Sequence, residues 1–287
     1  NKKRPDDRKE WIRAITADSQ HANMKALEVS YADFTNLELV WFSKYDCMRN
    51  IPSLVDGLKP GMRKILFSCF KRNLKESIKV AQLAGYTSEH SAYHHGEESL
   101  VKTIVGLAQI FLGASNLSLL VPDGQFGTRL AGGSDFASPR YIFTCLDKIV
   151  RALFPPDDSA ILEYMEDDGL EVEPRFYMPV VPLVLLNGSK GIGTGFSTDV
   201  PSYSMTDIIE YLRNTLYSTM NDECPIQTEQ TAKFEAIPSY IEFRGTVSPS
   251  VKNSSKYIIR GCYEFIDKDT FRITELPVGV WTVPLTK

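Results

Sequence analysis

One segment of the 287-residue sequence pairs a potential nucleophile with a cation: Ala137-Ser-Pro-Arg-Tyr141. A tyrosine hydroxyl is a weak nucleophile near neutral pH, because its pKa is about 10, so it needs a neighbouring cation, metal or base. Arg140 offers a fork of donors that suits a phosphate. Four glycines between residues 122 and 140 predict an irregular loop in which the two side chains could act together.

A cluster of basic residues precedes this loop. Residues 56–80 hold seven basic side chains against Asp56 and Glu76, a local net charge of +5: Lys59, Arg63, Lys64, Lys71, Arg72, Lys75 and Lys79. Lys59 and Arg63 are four residues apart, so the spacing predicts that both lie on one helix face. Such a face neutralises phosphates and releases counterions. The alternative is an ordinary solvated helix face.

Histidines form a second candidate cluster. His90 and His94 are separated by four residues, and His94 and His95 precede Gly96-Glu97. The zinc motif HExxH is absent and no third ligand is obvious, so the pattern does not favour a metal site. Histidines at a helix start can contact phosphate instead, and hydrogen-bonded histidines in a polar turn are the alternative.

The segment Lys190-Gly-Ile-Gly-Thr-Gly195 has the spacing G-x-G-x-G, not the G-x-G-x-x-G of a dinucleotide site. The next predicted helix begins about ten residues later, at Ser204, whereas a dinucleotide motif opens its helix directly. What remains is a glycine-flanked loop that presents Ile192. An apolar side chain of this kind can be inserted between DNA base steps. The alternative is a tight turn with Ile192 buried.

Periodicity predicts the elements that hold these residues. We expect a surface helix from Asp6 and helices over about 60–72, 77–84 and 96–112, the second of which Gly85 would stop. Residues Leu146 to Leu153 mark another helix, and a further one begins after Ser204. Met178 to Leu186 is interpreted as an apolar strand, and 239–248 and 256–281 as strands joined by turns. The whole indicates an α+β fold of about two domains.

Composition excludes several classes. The longest apolar run, Tyr177 to Leu186, is too short for a membrane span of about 20 residues, so no membrane association is expected. Five scattered cysteines without a CxxC pair predict free, buried thiols. The net charge of −4 divides into +4 for residues 1–150 and −8 for 151–287. A start at Asn1 without Met suggests a piece of a longer polypeptide.

Five motifs in order resemble the breakage-and-rejoining region of eukaryotic-type DNA topoisomerase II, from about Asp6 to the end. They are Asp56-Gly-Leu-Lys-Pro-Gly-Met-Arg-Lys64, Ala92-Tyr-His-His-Gly-Glu97, Gly124-Gln-Phe-Gly-Thr-Arg129, Ala137-Ser-Pro-Arg-Tyr-Ile-Phe-Thr144 and Asn187-Gly-Ser-Lys-Gly-Ile-Gly-Thr-Gly195. Met62, Phe196, Glu98 and Lys102 depart from the usual pattern.

The resemblance implies roles for individual residues. Tyr141 matches the tyrosine that attacks a DNA phosphodiester and forms a 5′-phosphotyrosyl link, and Arg140 matches the residue that stabilises charge on that phosphate. His95 resembles a further phosphate-facing catalytic group, with His94 in support. Ile192 matches the residue that bends DNA. Four basic residues match positions at which the family contacts the DNA backbone: Arg49, Lys59, Arg63 and Lys64.

The resemblance also implies an architecture and partners. We expect a linker helix region over 1–30, a winged-helix domain over 31–165 and an incomplete, strand-rich tower domain over 166–287. Double-stranded DNA is the expected substrate, and a homodimer the expected active form. Mg²⁺ would be held by an acidic Toprim domain, and ATP by an ATPase domain, both outside this chain, so this piece alone should be inactive in strand passage. We expect a nuclear enzyme, or a cytoplasmic one if it is viral.

Two alternatives to the topoisomerase interpretation stay open. The first is a winged-helix module that binds DNA without catalysis and uses Tyr141 only structurally. The second is a dinucleotide-dependent enzyme, which the glycine spacing disfavours.

Overall fold

The computed structural model describes residues 4–16, 19–23, 25, 27–167, 169–221 and 234–286. Its helices are α1 Pro5–Arg13, α2 Tyr31–Asp33, α3 Val40–Asn50, α4 Pro60–Lys71, α5 Val80–His90, α6 Glu97–Ala108, α7 Val150–Leu153, α8 Leu183–Leu186, α9 Met205–Asn221 and α10 Thr282–Leu285. A π-helical segment, Phe34–Leu39, joins α2 to α3, and short 3₁₀ turns cover Arg129–Ala131 and Pro156–Ala160.

Its strands are β1 Ile78–Lys79, β2 Leu120–Asp123, β3 Phe143–Leu146, β4 Tyr164–Asp167, β5 Leu170–Pro174, β6 Ser189–Ile192, β7 Ser197–Val200, β8 Thr246–Ser250, β9 Asn253–Arg260, β10 Cys262–Phe265 and β11 Phe271–Glu275. The α+β class is confirmed.

The first half packs three helices on a small sheet. Strands β1, β3 and β2 lie in that order and pair antiparallel. Pro60 opens α4, where its missing N–H costs nothing. Helices α4, α5 and α6 bury a shared core that includes Leu66, Leu83, Leu100 and Ile104. This is a winged helix, in which α5 and α6 form the helix-turn-helix and the long loop between β2 and β3 forms the wing.

The prediction that Gly85 ends a helix begun at Ser77 is wrong. Ile78 and Lys79 pair with β3, and α5 then runs from Val80 through Gly85 to His90. A glycine inside a helix costs about 1 kcal/mol relative to alanine. The burial of Val80 and Leu83 on the same helix outweighs that cost.

Two further predictions fail because of tertiary pairing and proline chemistry. Leu146 belongs to β3, and the helix after it is only α7. The apolar run that ends at Leu186 is not a strand. Pro182 caps the short helix α8 instead, and a proline supplies no N–H to a sheet ladder.

Four antiparallel hairpins characterise the second half: β4–β5, β6–β7, β8–β9 and β10–β11. Helix α9 begins at Met205, directly after Ser204, as predicted. Strands are confirmed within 256–281, whereas β8 begins only at Thr246. The wing contacts this half, because the Arg129 guanidinium donates to the Glu275 carboxylate and, at 3.1 Å, to the Leu276 carbonyl.

The described cysteines are free, as predicted, but only Cys69 is buried, while Cys47, Cys145 and Cys262 are partly exposed. Cys224 lies outside the described residues. Among the described helices, none is both long enough and apolar enough to cross a bilayer.

Candidate nucleic-acid interface

Tyr141 lies at the base of the wing, immediately before β3, with 72% of its surface exposed. Two backbone hydrogen bonds fix the chain on either side of it. The Val80 N–H donates to the Ile142 carbonyl at 3.0 Å, and the Ala81 N–H donates to the Pro139 carbonyl at 3.1 Å. These are N–H groups of the first turn of α5, which have no partner within the helix. Helix α5 therefore anchors the nucleophile loop.

The loop also closes on itself. The Tyr141 N–H donates to the Ser138 carbonyl at 2.9 Å, which makes a tight turn around Arg140. Across the wing, a Cβ on Gly124 would lie 2.9 Å from the Ile142 side chain, so only glycine allows this close packing of the wing strands. The side chains of Arg140 and Tyr141 are exposed and have no hydrogen-bond or ion-pair partner within the described ranges. Both side chains are therefore accessible to a ligand.

A groove of about 1130 Å³ lies between α3, the start of α4 and the α5–α6 connection. Six predicted site residues line this basic groove: Arg49, Lys59, Arg63, Lys64, His94 and His95. Its wall also includes Glu166, Asp167, Glu173 and Arg175. Arg140 and Tyr141 do not line it. The structure therefore brings the predicted residues together in two places, the groove and the wing.

His95 is the most constrained of the groove residues. It is half-buried and hydrogen-bonded to the Tyr45 hydroxyl, and its ring meets the Tyr93 ring edge-on at 5.4 Å. Burial lowers the pKa of His95 from its ordinary value, and the nearby cations Arg49, His94 and Lys64 lower it further. A neutral imidazole that is held in place this way can donate or accept one hydrogen bond at the groove wall.

Lys59 is the residue immediately before α4, with extended backbone angles (φ −84°, ψ 157°). Burial lowers the pKa of its ammonium. A cation at a helix N-terminus opposes the helix dipole, so nothing in the helix itself favours lysine at this position. A bound anion would meet both the ammonium and the free N–H groups of the first turn.

Arg63 is the most buried of the predicted groove residues. Its side chain is only 6% exposed and pairs with the fully buried Asp56, with Nε to Oδ2 at 2.8 Å and Nη2 to Oδ1 at 3.1 Å. Nη2 also donates to the Leu58 carbonyl at 3.1 Å. Its Nε and Nη2 donors point into the protein, although the residue also lines the groove, so a contact of Arg63 with a DNA phosphate stays a prediction. These donors fix the loop before α4.

Lys64 has an intermediate position. Its side chain is 13% exposed, and its ammonium donates to the Ser91 carbonyl and, at 3.0 Å, to the Glu173 carboxylate. Glu173 is buried, and that burial raises its pKa, while the charge of Lys64 opposes the rise. Lys64 therefore lines the groove with two of its three donors already occupied and its charge paired with Glu173.

Ile192 is the last residue of β6 and is 73% exposed, so the alternative of a buried Ile192 is wrong. The Gly193 N–H donates to the Phe196 carbonyl at 2.9 Å and closes the turn that follows. A bare isoleucine at the end of a tight hairpin is available for apolar contact with a partner.

Within the described residues, no group of three or more His, Cys, Asp and Glu side chains could hold a metal ion. Glu98 and Lys102, which depart from the resembled pattern, form an exposed i,i+4 ion pair at 2.7 Å on α6.

Sequence reasoning missed two residues that shape the site: Tyr45 and Asp56. Tyr45 lies on a helix fifty residues before His95 and hydrogen-bonds to it, and no local spacing in the sequence predicts such a contact. Asp56 accepts from Arg63 and from the backbone N–H groups of Leu58 and Tyr177, at 2.9 and 3.0 Å. The signal was present, because an aspartate seven residues before an arginine interrupts an otherwise basic segment.

The fold and the site together define a class: a winged-helix protein that exposes an arginine–tyrosine pair at its wing and carries a groove lined by several cations. Residues 49–287 match the family model that describes the A-type subunits of DNA gyrase and topoisomerase IV. The chain therefore belongs to this DNA gyrase/topoisomerase IV family.

Individual relatives refine the assignment. The chain is 46% identical over 293 residues to DNA topoisomerase 2-alpha of Mus musculus and 46% identical over 283 residues to DNA topoisomerase 2 of Arabidopsis thaliana. Each match covers 98% of this chain and 18% of the relative, so the chain spans about a fifth of the curated relatives' length. The resemblance to eukaryotic-type DNA topoisomerase II is confirmed.

A solved structure shares the fold. The crystal structure of the Plasmodium falciparum topoisomerase II DNA-binding, cleavage and re-ligation domain superimposes with a TM-score of 0.83 at 43% identity. The match covers all of this chain and 37% of that one. The prediction of a winged helix followed by part of a tower agrees with this fold.

Proposed function

We propose that this chain is the cleavage-and-rejoining module of a type II DNA topoisomerase, which passes one duplex through another and so relaxes or decatenates DNA. The observation that carries the proposal is the exposed Arg140–Tyr141 pair on a loop anchored to α5. The Tyr141 hydroxyl is therefore open to a phosphate, in contrast to Tyr177, which is buried in the core.

In the proposed reaction, the Tyr141 hydroxyl oxygen attacks a backbone phosphorus. An O–P bond to tyrosine forms, the bond from phosphorus to the 3′ oxygen breaks, and the proton lost by the phenol is balanced by one gained at the 3′ oxygen. One phosphoester replaces another, so rejoining needs no energy source. Arg140 is proposed to stabilise the charge on the transferring phosphate, and His95 to contact a phosphate as a hydrogen-bonding group.

We propose that the basic groove binds the DNA backbone through Arg49, Lys59, Lys64 and His94. The position of Lys59 before α4, beside the free N–H groups of the first turn, supports a phosphate contact there. Ile192 is proposed to enter between bases and bend the duplex, because it is exposed at the end of a rigid hairpin.

The described part of this chain offers no cluster of His, Cys, Asp and Glu side chains that could hold Mg²⁺. We propose that Mg²⁺ and ATP both bind outside it, Mg²⁺ in a Toprim domain and ATP in an ATPase domain. The active form is proposed to be a homodimer in which each protomer supplies one tyrosine. A nuclear location is proposed, or a cytoplasmic one for a viral enzyme. The proposed division is a linker region over 1–30, a winged helix over 31–165 and a tower over 166–287.

The test traps the covalent intermediate. The full-length protein is mixed with duplex DNA and Mg²⁺, then quenched with detergent, in parallel reactions with a 5′ or a 3′ end label. We expect 3′-labelled fragments to migrate with the protein and 5′-labelled fragments to be free, because the link forms at the 5′ phosphate of the downstream fragment. Tyr141→Phe should abolish the covalent product. The control, Tyr217→Phe, replaces another exposed tyrosine, on α9, and should leave it unchanged.

Covalent product with Tyr141→Phe would overturn the tyrosine assignment. DNA binding by wild type without any covalent product would favour the non-catalytic winged-helix module instead.

A further inference from the structure

We infer that Asp46 is a positioning residue that holds the hairpin of Ile192 in the orientation needed to bend DNA. The inference rests on the proposed function of Ile192 and concerns a different element, helix α3, more than 140 residues earlier in the chain. Asp46 was not among the residues that the sequence singled out.

The carboxylate of Asp46 lies beneath the turn that follows Ile192. Its Oδ2 accepts two hydrogen bonds from Thr194, at 3.0 Å from the backbone N–H and at 3.1 Å from the hydroxyl. Its Oδ1 accepts from the Asn50 side chain at 2.7 Å, one turn further along α3. Both oxygens are therefore engaged, and Asn50 fixes the rotation of the carboxylate towards the turn.

A third contact comes from the next residue of α3. The Cys47 thiol donates to the Thr194 carbonyl at 3.1 Å. Thr194 is thus held at its N–H, its hydroxyl and its carbonyl by two consecutive residues of one helix. Hydrogen bonds to a charged acceptor are about twice as strong as neutral ones, so the two to Asp46 dominate.

The glycines of the hairpin permit this close approach. A Cβ on Gly191 would lie 2.2 Å from the Asn50 carbonyl oxygen, and one on Gly193 would lie 3.0 Å from the Cys47 sulfur. Both glycines therefore bring the hairpin directly onto the end of α3. The glycine spacing that resembles a nucleotide motif has a packing cause here.

Helix α1 closes the other side of the turn. A Cβ on Gly195 would lie 3.2 Å from the Cβ of Arg8, and the Arg13 guanidinium lies 5.6 Å from the centre of the Phe196 ring. The turn is therefore held between α1 and α3 while Ile192 remains exposed. A wedge needs such a rigid support, because the cost of unstacking bases would otherwise push the side chain back.

The experiment measures DNA bending separately from DNA binding. The full-length protein is added to a duplex with a donor and an acceptor dye at its ends; energy transfer reports the bent fraction, and anisotropy reports affinity. Thermal melting checks that each variant folds. Asp46→Ala is compared with Asp46→Asn, Ile192→Ala and the double variant. The matched control, Asp199→Ala, removes an exposed carboxylate of the same hairpin, 3.9 Å from Lys190.

We expect Asp46→Ala to lower the ratio of bent to straight bound DNA about tenfold, an effect of the size of about one net hydrogen bond. Affinity should change less than about threefold, since phosphate contacts carry most of it. Asp46→Asn keeps an oxygen that accepts from Thr194 and should retain most of the bending. The double variant should bend DNA no less than Ile192→Ala alone, because Asp46 acts through Ile192.

The outcomes distinguish this inference from the proposed function. Unchanged bending in Ile192→Ala overturns the wedge itself, whatever Asp46 does. The inference alone is overturned if Ile192→Ala reduces bending but Asp46→Ala bends DNA as much as the Asp199→Ala control does. So does an additive loss in the double variant, which would mean that Asp46 acts by another route.

Discussion

Replacing Arg63 with methionine tests whether this cation serves the fold or the DNA. Its position in a basic segment predicts a DNA contact, whereas the structure buries it against Asp56. Methionine approximates the length and apolar stem of arginine but supplies no donor. The variant therefore leaves the Asp56 carboxylate buried with two backbone N–H donors, from Leu58 and Tyr177, in place of four hydrogen bonds.

The magnitude follows from the burial of the pair. Both side chains are almost inaccessible, at 6% and 0%, so solvent does not screen the charge that remains. Removal of one partner of a buried ion pair costs about 3–5 kcal/mol. Adding Asp56→Asn to Arg63→Met should recover about 1–2 kcal/mol, since the uncompensated charge disappears while an amide oxygen still accepts a backbone N–H.

The assay combines urea unfolding with the salt dependence of DNA binding. Lys59→Ala is the comparison variant, because Lys59 lines the basic groove. We expect Arg63→Met to lower the free energy of unfolding by about 3–5 kcal/mol and to leave the slope of log K against log salt unchanged. Lys59→Ala should reduce the magnitude of that slope by about 0.9, with little change in unfolding.

A salt slope that falls by about 0.9 in Arg63→Met would refute the structural role, because it would mean that the guanidinium neutralises a phosphate. An unfolding free energy within about 1 kcal/mol of wild type would refute the estimate for the buried pair.

Three other changes address different residues. Gly191→Ala should destabilise the protein by about 1–3 kcal/mol in urea unfolding, because the new methyl group overlaps a carbonyl of α3, whereas Gly85→Ala, with open space around it, should stabilise by about 0.5–1 kcal/mol. The imidazole of His95 should titrate below the ordinary His pKa in NMR spectra. Since folding disfavours its charged form, its contribution to stability is complete above about pH 6.5 and is lost as pH falls through the lowered pKa. The variant His95→Gln should remove that loss of stability at low pH. Burial raises the pKa of Cys69 to about 12, so a thiol reagent at pH 8 should label Cys262 but leave Cys69 unmodified until the protein unfolds.

The sequence predicts the helices of the winged helix well because each has a clear apolar period or start signal, such as Pro60 before α4. It fails where a distant partner decides the local structure. Ile78 and Lys79 form a strand only because β3 lies beside them, and that pairing involves residues more than sixty positions later. The prolines in the run from Met178 to Leu186 disfavour a strand, since proline has no N–H to donate to a neighbouring strand.

The site shows the same division between local and distant signals. Tyr141 and Arg140 are adjacent, so their partnership is visible in one motif. The pairing of Lys59 with Arg63 on one helix face fails for a local reason: Lys59 precedes α4 and has extended backbone angles, so helical spacing does not apply to it. The contacts of Asp46 and Tyr45 depend on the packing of α3 against later elements, which no spacing within α3 encodes.

The net charge of −4 illustrates why a whole-chain quantity is a poor guide to a binding surface. At physiological salt, exposed charges are screened beyond about 8 Å, so a phosphate in the groove would respond to the charges that line it. These include Glu166, Asp167 and Glu173 from the acidic second half as well as the cations. Of the basic residues between 56 and 80, Lys59, Arg63 and Lys64 line that groove, but Arg63 is paired with Asp56 and Lys64 with Glu173. The count of +5 in that segment therefore overstates the positive charge that faces the groove, and Arg49, which lies outside the segment, adds to it. Burial and placement, more than the number of charges, decide which cations contribute to binding.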